Sequence, residues 1–201
     1  MIRVLCKLPQ KITVALSGGV DSVAITDFLS RSREVECAFF HHGTADSERA
    51  FEFVEEFCKA RSLTLHTQRL QESKPKDQSK EEFWRNQRYL FLDNLNTPVI
   101  TGHNLNDCVE TYLWSAMHGL PKIIPFQRNN VIRPFLTTPK DEFISWCTRH
   151  NVNWIEDQSN TDVAYTRNYI RHSLMPHALH VNPGLPKVVK KLVEKQIAQT
   201  T

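Results

Sequence analysis

Apolar and polar positions along the first half of the chain repeat at two different periods. Lys11–Leu16 (K-I-T-V-A-L), Val35–Phe40 (V-E-C-A-F-F), Leu63–Arg69 and Pro98–Thr101 are short runs rich in β-branched or alternating residues, and each predicts a strand. Between them lie segments with helical spacing. Val20–Ser30 carries Val20, Val23, Ala24 and Phe28 on one stripe, and Ser47–Ala60 carries Phe51, Val54, Phe57 and Cys58. Lys80–Leu95 and Asn106–His118 follow the same rule. Strands separated by helices predict βαβ units and a buried parallel sheet, an α/β fold.

Beyond residue 120 the pattern changes. Pro121, Pro125, Pro134 and Pro139 punctuate short segments. Phe143–His150 and Tyr165–Leu174 predict helices, Asp157–Asp162 predicts a turn, and Val188–Ala198 predicts a last amphipathic helix with Lys190, Lys191 and Lys195. The division expected is a nucleotide-binding domain over 1–150 and a small helical extension over 151–201. The polar stretch 71–80, with three lysines and Pro75, reads as a loop that is either simply solvated or a lid.

Composition narrows the class. At 201 residues, with 40% hydrophobic and 23% charged residues, the chain is an ordinary globular one. The net charge of +3 allows a polyanionic partner without demanding one. No apolar stretch approaches the roughly 20 residues of a membrane span. Arg3 and Lys7 break the N-terminal segment, leaving no signal-peptide core. The five cysteines are widely spaced with no C-x-x-C, which suits reduced thiols in a cytoplasmic protein.

The segment that carries chemistry is Ser17-Gly18-Gly19-Val20-Asp21-Ser22, between the first strand and the first helix. Two glycines allow a sharp turn and a close approach of backbone N–H groups to a ligand. Two serines add hydroxyls, and the helix that follows turns its positive end toward an anion. The lysine of a Walker loop is absent. The bland alternative is a turn capped by Asp21 at a helix start.

S-G-G-V-D-S resembles the PP-loop of ATP pyrophosphatases, and further segments sharpen the likeness. They are Thr101–Thr111 (T-G-H-N-L-N-D-C-V-E-T), Ile132–Leu136 (I-R-P-F-L), the stretch from Trp154 to Arg171 that contains W-I-E-D-Q-S-N and R-N-Y-I-R, and Asn182-Pro183. With Glu82–Leu92, they look in this order like the tRNA(Ile)-lysidine synthetase family. The likeness spans about residues 12–185 and implies a Rossmann-like parallel sheet of the PP-loop type with a small C-terminal helical extension. It also implies an activity: ATP and Mg²⁺ adenylate the C2 oxygen of the first anticodon cytidine of a minor isoleucine tRNA, and free lysine then displaces AMP to give lysidine.

On this resemblance Ser17, Gly18, Gly19, Val20, Asp21 and Ser22 hold ATP, and Asp21 also organises the metal. Asp21, His103, Asp107, Glu110 and Arg133 are the expected catalytic residues. Asp107 and Glu110, at i and i+3, share a helix face and could hold a lysine ammonium; the alternative is a solvated helix face. Arg85 and Arg88 suit phosphate or developing negative charge. Asp157, Ser159 and Asn160 form either a closing turn over the nucleotide or a simple Asx-type turn. Arg167 and Arg171, one helical turn apart, could meet tRNA phosphates.

Three departures stand out. Phe39–Ala45 lacks the family's first His and its Arg, Asn106 replaces one Asp of a D-D pair, and the chain ends at Thr201. A short form would find its tRNA through the catalytic part and the terminal helices, for instance as a homodimer. Two rival readings remain: a cytidine thiolase using Cys108 and Cys147, and a nucleotide- or tRNA-binding module without ligase activity.

Overall fold

The computed structural model describes residues 1–156 and 163–199. Six strands form one sheet: β1 (Lys11–Ala15), β2 (Glu34–His41), β3 (Leu65–Arg69), β4 (Val99–Ile100), β5 (Gln127–Arg128) and β6 (Val131–Ile132). Their order is β3-β2-β1-β4-β6-β5, parallel throughout except for the β5–β6 pair. The helices are α1 (Val20–Ser30), α2 (Ala45–Ala60), α3 (Lys80–Asp93), α4 (Leu105–Met117), α5 (Lys140–His150), α6 (Thr166–Tyr169), α7 (Met175–Val181) and α8 (Leu185–Ala198). A π-helical turn, Ile170–Leu174, joins α6 to α7.

The βαβ alternation read from the sequence is the observed fold, because a parallel strand needs both faces covered. Along β2, Val35, Cys37 and Phe39 pack with Val23 of α1 and Val54 and Phe57 of α2. Ala38 and Phe40 turn the other way, onto Tyr89, Phe91 and Leu92 of α3. A third apolar cluster joins α4 to α8 through Leu105, Cys108, Val109, Leu185, Val189 and Val193.

Three elements escaped the pattern. The β5–β6 hairpin is too short to show a period; it turns at Asn129, whose φ is +49°, and Asn130 fastens it by donating to the carbonyls of Leu95 and Thr97. Helix α7 follows the π turn directly. Helices α5 and α8 each begin three residues before the expected starts at Phe143 and Val188. In α8 a proline occupies the first turn, where it lacks only a donor the helix does not use.

Candidate nucleotide and amine site

The loop after β1 is closed by its own hydroxyls. Ser22 Oγ accepts from the Ser17 N–H at 3.1 Å and donates to the Gly19 carbonyl at 2.9 Å, and Ser17 Oγ lies 3.1 Å from Ser22 Oγ. Gly18 has φ +85°, and a Cβ there would stand 2.9 Å from Ile155 Cδ1. The Ile155 N–H donates to the Gly18 carbonyl at 3.0 Å, so the segment after α5 lies against the loop. Gly19 is the N-cap of α1, and no side chain caps the helix. Asp21 therefore does not act as the cap, and the first-turn N–H groups stay available to an anion.

Asp21 sits where two loops meet. A Cβ on Gly102, just past β4, would be 3.2 Å from the Asp21 Cβ and carbonyl carbon. β1 and β4 are neighbours from which the connections leave in opposite directions, the switch point where α/β folds bind ligands. Burial pushes the Asp21 carboxyl up to about 6; Lys140 opposes this, Asp107 adds to it, and Arg171 and a hydrogen bond with Asn104 oppose it. Asp21 Oδ1 is buried and has no hydrogen-bond partner among the described residues. An unpartnered carboxylate oxygen beside the loop after β1 fits a hard cation such as Mg²⁺. No group of three or more acidic, His or Cys side chains gathers there among the described residues, so phosphate oxygens and water would complete the coordination.

The carboxylates of α4 lie nearby. Asp107 closes a capping box with Asn104, accepting from the Asn104 N–H at 2.9 Å while its own N–H donates to Asn104 Oδ1. Glu110 is 2% exposed. Arg167 and Arg171, expected to face RNA phosphates, are turned onto this pair. Arg167 donates to Asp107 at 2.7 Å and to Glu110 at 3.0 Å. Arg171, in the π turn, grips Glu110 at 2.7 and 3.1 Å. The Asp107–Glu110 face is thus an ion-paired cluster rather than a solvated surface. Asn106 serves the local structure. Its Oδ1 accepts from the Lys140 N–H at 3.0 Å, at the start of α5, where Pro139 offers no side-chain cap.

His103 and the arginines form the third part. His103 Nδ1 is 2.8 Å from Thr101 Oγ1. Burial, then Arg133, Arg167, Arg88 and Arg85, holds the ring well below its ordinary pKa and therefore neutral. Arg133 is 2% exposed and donates to the Tyr89 hydroxyl and to the Pro125 carbonyl, each at 2.8 Å. Arg85, Arg88 and Arg128 lie over the Tyr89 ring at 5.1, 5.9 and 4.3 Å. Tyr89 is the hub of a cationic wall, a role sequence reading missed because a tyrosine in a helix reads as core. Arg128, Gly102 and Lys140 were also missed: the first sits on the unforeseen hairpin, and the other two approach Asp21 only in space. Asp157, Ser159 and Asn160 lie outside the described residues.

A loop that exposes uncapped N–H groups at a switch point, with an unpartnered carboxylate beside it, is the arrangement to compare with known proteins. Residues 4–178 match the family model of the PP-loop domain. The chain belongs to the PP-loop family. It is 34% identical over 200 residues to a tRNA(Ile)-lysidine synthase of Lactiplantibacillus plantarum, a match covering 90% of this chain and 44% of that protein. A tRNA(Ile)-lysidine synthase of Thermosipho africanus is 31% identical, with 92% of this chain and 48% of the relative covered. The chain spans about half the length of the curated relatives it matches. Among solved structures, an NH3-dependent NAD synthetase from Campylobacter jejuni superposes with a TM-score of 0.53 at 14% identity, covering 96% of this chain and 87% of that one. An NMN synthetase from Francisella tularensis gives 0.52 at 13% identity, covering 83% and 77%. At these identities the two structures speak for the PP-loop fold alone.

All five cysteines are free. Cys108 and Cys147 belong to different apolar clusters, and burial pushes their thiols up to about 12 and about 11. Among the described residues no helix is long and apolar enough to cross a membrane.

Proposed function

We propose that this protein is a cytoplasmic ATP-dependent ligase that joins lysine to the first anticodon cytidine of a minor isoleucine tRNA. The observation that carries the reading is the position of Asp107 and Glu110. Asp107 stands within electrostatic reach of Asp21, and the buried Glu110 shares Arg167 and Arg171 with Asp107, which supports an ammonium site beside an ATP site. The relatives named tRNA(Ile)-lysidine synthase support the same assignment.

In this reading the cytidine C2 oxygen attacks the α-phosphorus, the bond to the bridging oxygen breaks, and pyrophosphate leaves onto the N–H groups of Gly18–Ser22. Mg²⁺ held by Asp21 would neutralise charge on the phosphates. The wall of Arg85, Arg88 and Arg133 faces the charge that develops, and His103 adds a hydrogen-bonding ring without adding charge. The lysine amine then attacks C2, the C2–O bond breaks, AMP departs, and the amine gives up a proton. Asp107 and Glu110 hold the other ammonium of the lysine. Arg167, half-exposed, is the cation that yields to it more easily than Arg171. Freed from the carboxylates, a guanidinium there can receive the carboxylate of the same amino acid.

The test is mass spectrometry of nucleosides from isoleucine tRNA after incubation with ATP, Mg²⁺ and lysine. A lysidine peak that needs all three is the expected result; pyrophosphate release without it would point to another acceptor. A thiolase is disfavoured, since sulfur delivery needs accessible thiolates and these thiols are buried and held protonated. No pyrophosphate release under any condition would leave a binding module.

A further inference from the structure

We propose that Trp84 is a stacking platform for an unpaired RNA base flanking the nucleotide to be modified. The inference rests on the tRNA reading above and adds a subsite to it.

Trp84 stands on α3, partly exposed, one residue before Arg85. His42, just past the end of β2, lies against the indole with ring centres 5.0 Å apart and planes tilted by 32°. Phe40 braces His42 edge-on at 5.1 Å. The His42 N–H donates to Ser47 Oγ at 3.0 Å, which fixes the backbone beneath the stack. Lys80 Nζ lies 4.4 Å from the centre of the Trp84 ring. A partly exposed aromatic face backed by a second ring and touched by an exposed cation is what a base can enter: the lysine moves aside to a phosphate and the base takes its place.

The surroundings favour a polyanion. Arg85 and Arg88 follow on the same helix and lead to the Arg133–Tyr89 wall beside His103. Lys74, Lys76 and Lys80 precede the indole along an exposed stretch. A strand laid with one base on Trp84 has phosphate partners on both sides, and the path continues toward the candidate site. Arg85 and Arg88 already serve the reacting phosphate in the reading above, which leaves Lys74, Lys76 and Lys80 without a role toward ATP, so the base assigned here belongs to RNA rather than to ATP.

The experiment is fluorescence anisotropy of a labelled isoleucine anticodon stem-loop, measured without ATP or lysine, against wild type, Trp84→Ala and Trp84→Phe. Each is also measured with RNAs abasic at positions flanking the target cytidine. Trp84→Ala is expected to weaken binding about 5- to 150-fold, with Trp84→Phe near wild type. One abasic RNA should bind wild type more weakly than the intact RNA does, and Trp84→Ala should weaken its binding no further. ATP affinity, read by calorimetry, should not change. RNA affinity untouched by Trp84→Ala overturns the platform and leaves the ligase reading standing. A loss of ATP affinity instead would make the stack an adenine site. A wild type that binds no RNA overturns both.

Discussion

Arg171 Nε donates to Glu110 Oε1 at 2.7 Å, tying the π turn near the C-terminus to the buried face of α4. Through this bond the last helices become part of the site. Glu110 is 2% exposed, so its charge needs both guanidiniums that reach it.

The two arginines should therefore differ. Arg171→Ala removes two bonds to Glu110 and is expected to destabilise the fold by about 1–3 kcal/mol, because a buried carboxylate loses its better partner. Arg167, half-exposed, should lose less than about 1 kcal/mol on the same change. Urea unfolding compares them; equal losses would contradict the burial argument.

Asp107→Asn and Glu110→Gln should raise the KM for lysine roughly tenfold to a hundredfold and leave the KM for ATP nearly unchanged, since one charge-assisted bond to an ammonium is lost. Asn at 107 keeps an oxygen for the Asn104 N–H, so the capping box survives. Steady-state kinetics on both substrates decides, and equal effects on both would assign the pair another purpose.

Ser17→Ala and Asp21→Asn should abolish pyrophosphate release while circular dichroism stays native. Asp21→Asn carries a second signature. Its folded pKa of about 6 lies above the ordinary value of 3.8, so the folded state is the better proton binder and stability falls as pH rises between the two. Removing the charge should raise stability at pH 7 by of the order of 1–3 kcal/mol and remove any stabilisation by Mg²⁺. Thermal melts with and without Mg²⁺ test both.

His42 has the opposite sign. Burial, then Arg88 and His41, holds its pKa down at about 4 against 6.5. Its contribution is present above pH 6.5 and lost as pH falls toward 4, where the neutral ring must take a proton in the folded state. Because Asp21 titrates over an overlapping range in the other direction, the wild-type profile mixes the two. The difference between wild type and His42→Gln isolates the histidine: the variant should lose less stability between pH 6.5 and 4. Identical profiles would show that His42 does not set the acid limb.

On α8, Lys187, Lys191 and Lys195 are exposed at four-residue spacing, while Leu185, Val189 and Val193 are buried against α4. If this stripe meets tRNA phosphates, replacing the three by Ala should flatten the log–log salt slope of tRNA binding by roughly two to three units. ATP binding should be untouched. An unchanged slope would leave RNA recognition to α3 and the stretch before it.

Local patterns in the sequence were enough to read the βαβ core and the tight turn after β1. Both rest on local rules: a parallel strand buried on two faces, a helix with one apolar stripe, and a tight turn that needs glycine at position 18. Asp107 and Glu110 were legible too, since an i, i+3 pair shares a face wherever the helix lies. What the carboxylates meet was not legible. Arg167 and Arg171 stand about sixty residues further along the chain, and a basic pair on a helix reads equally well as facing water, RNA or a buried acid. Tertiary structure chose the acid, because desolvated carboxylates at 107 and 110 require countercharge. In the same way Asn106 became the acceptor for the start of α5, and Gly102 came against Asp21 through strand order alone. Trp84 met His42 only because α3 packs on β2. Periodicity fixes which face of an element is apolar; which elements meet, and hence which charges and rings share a pocket, is decided by packing the whole chain.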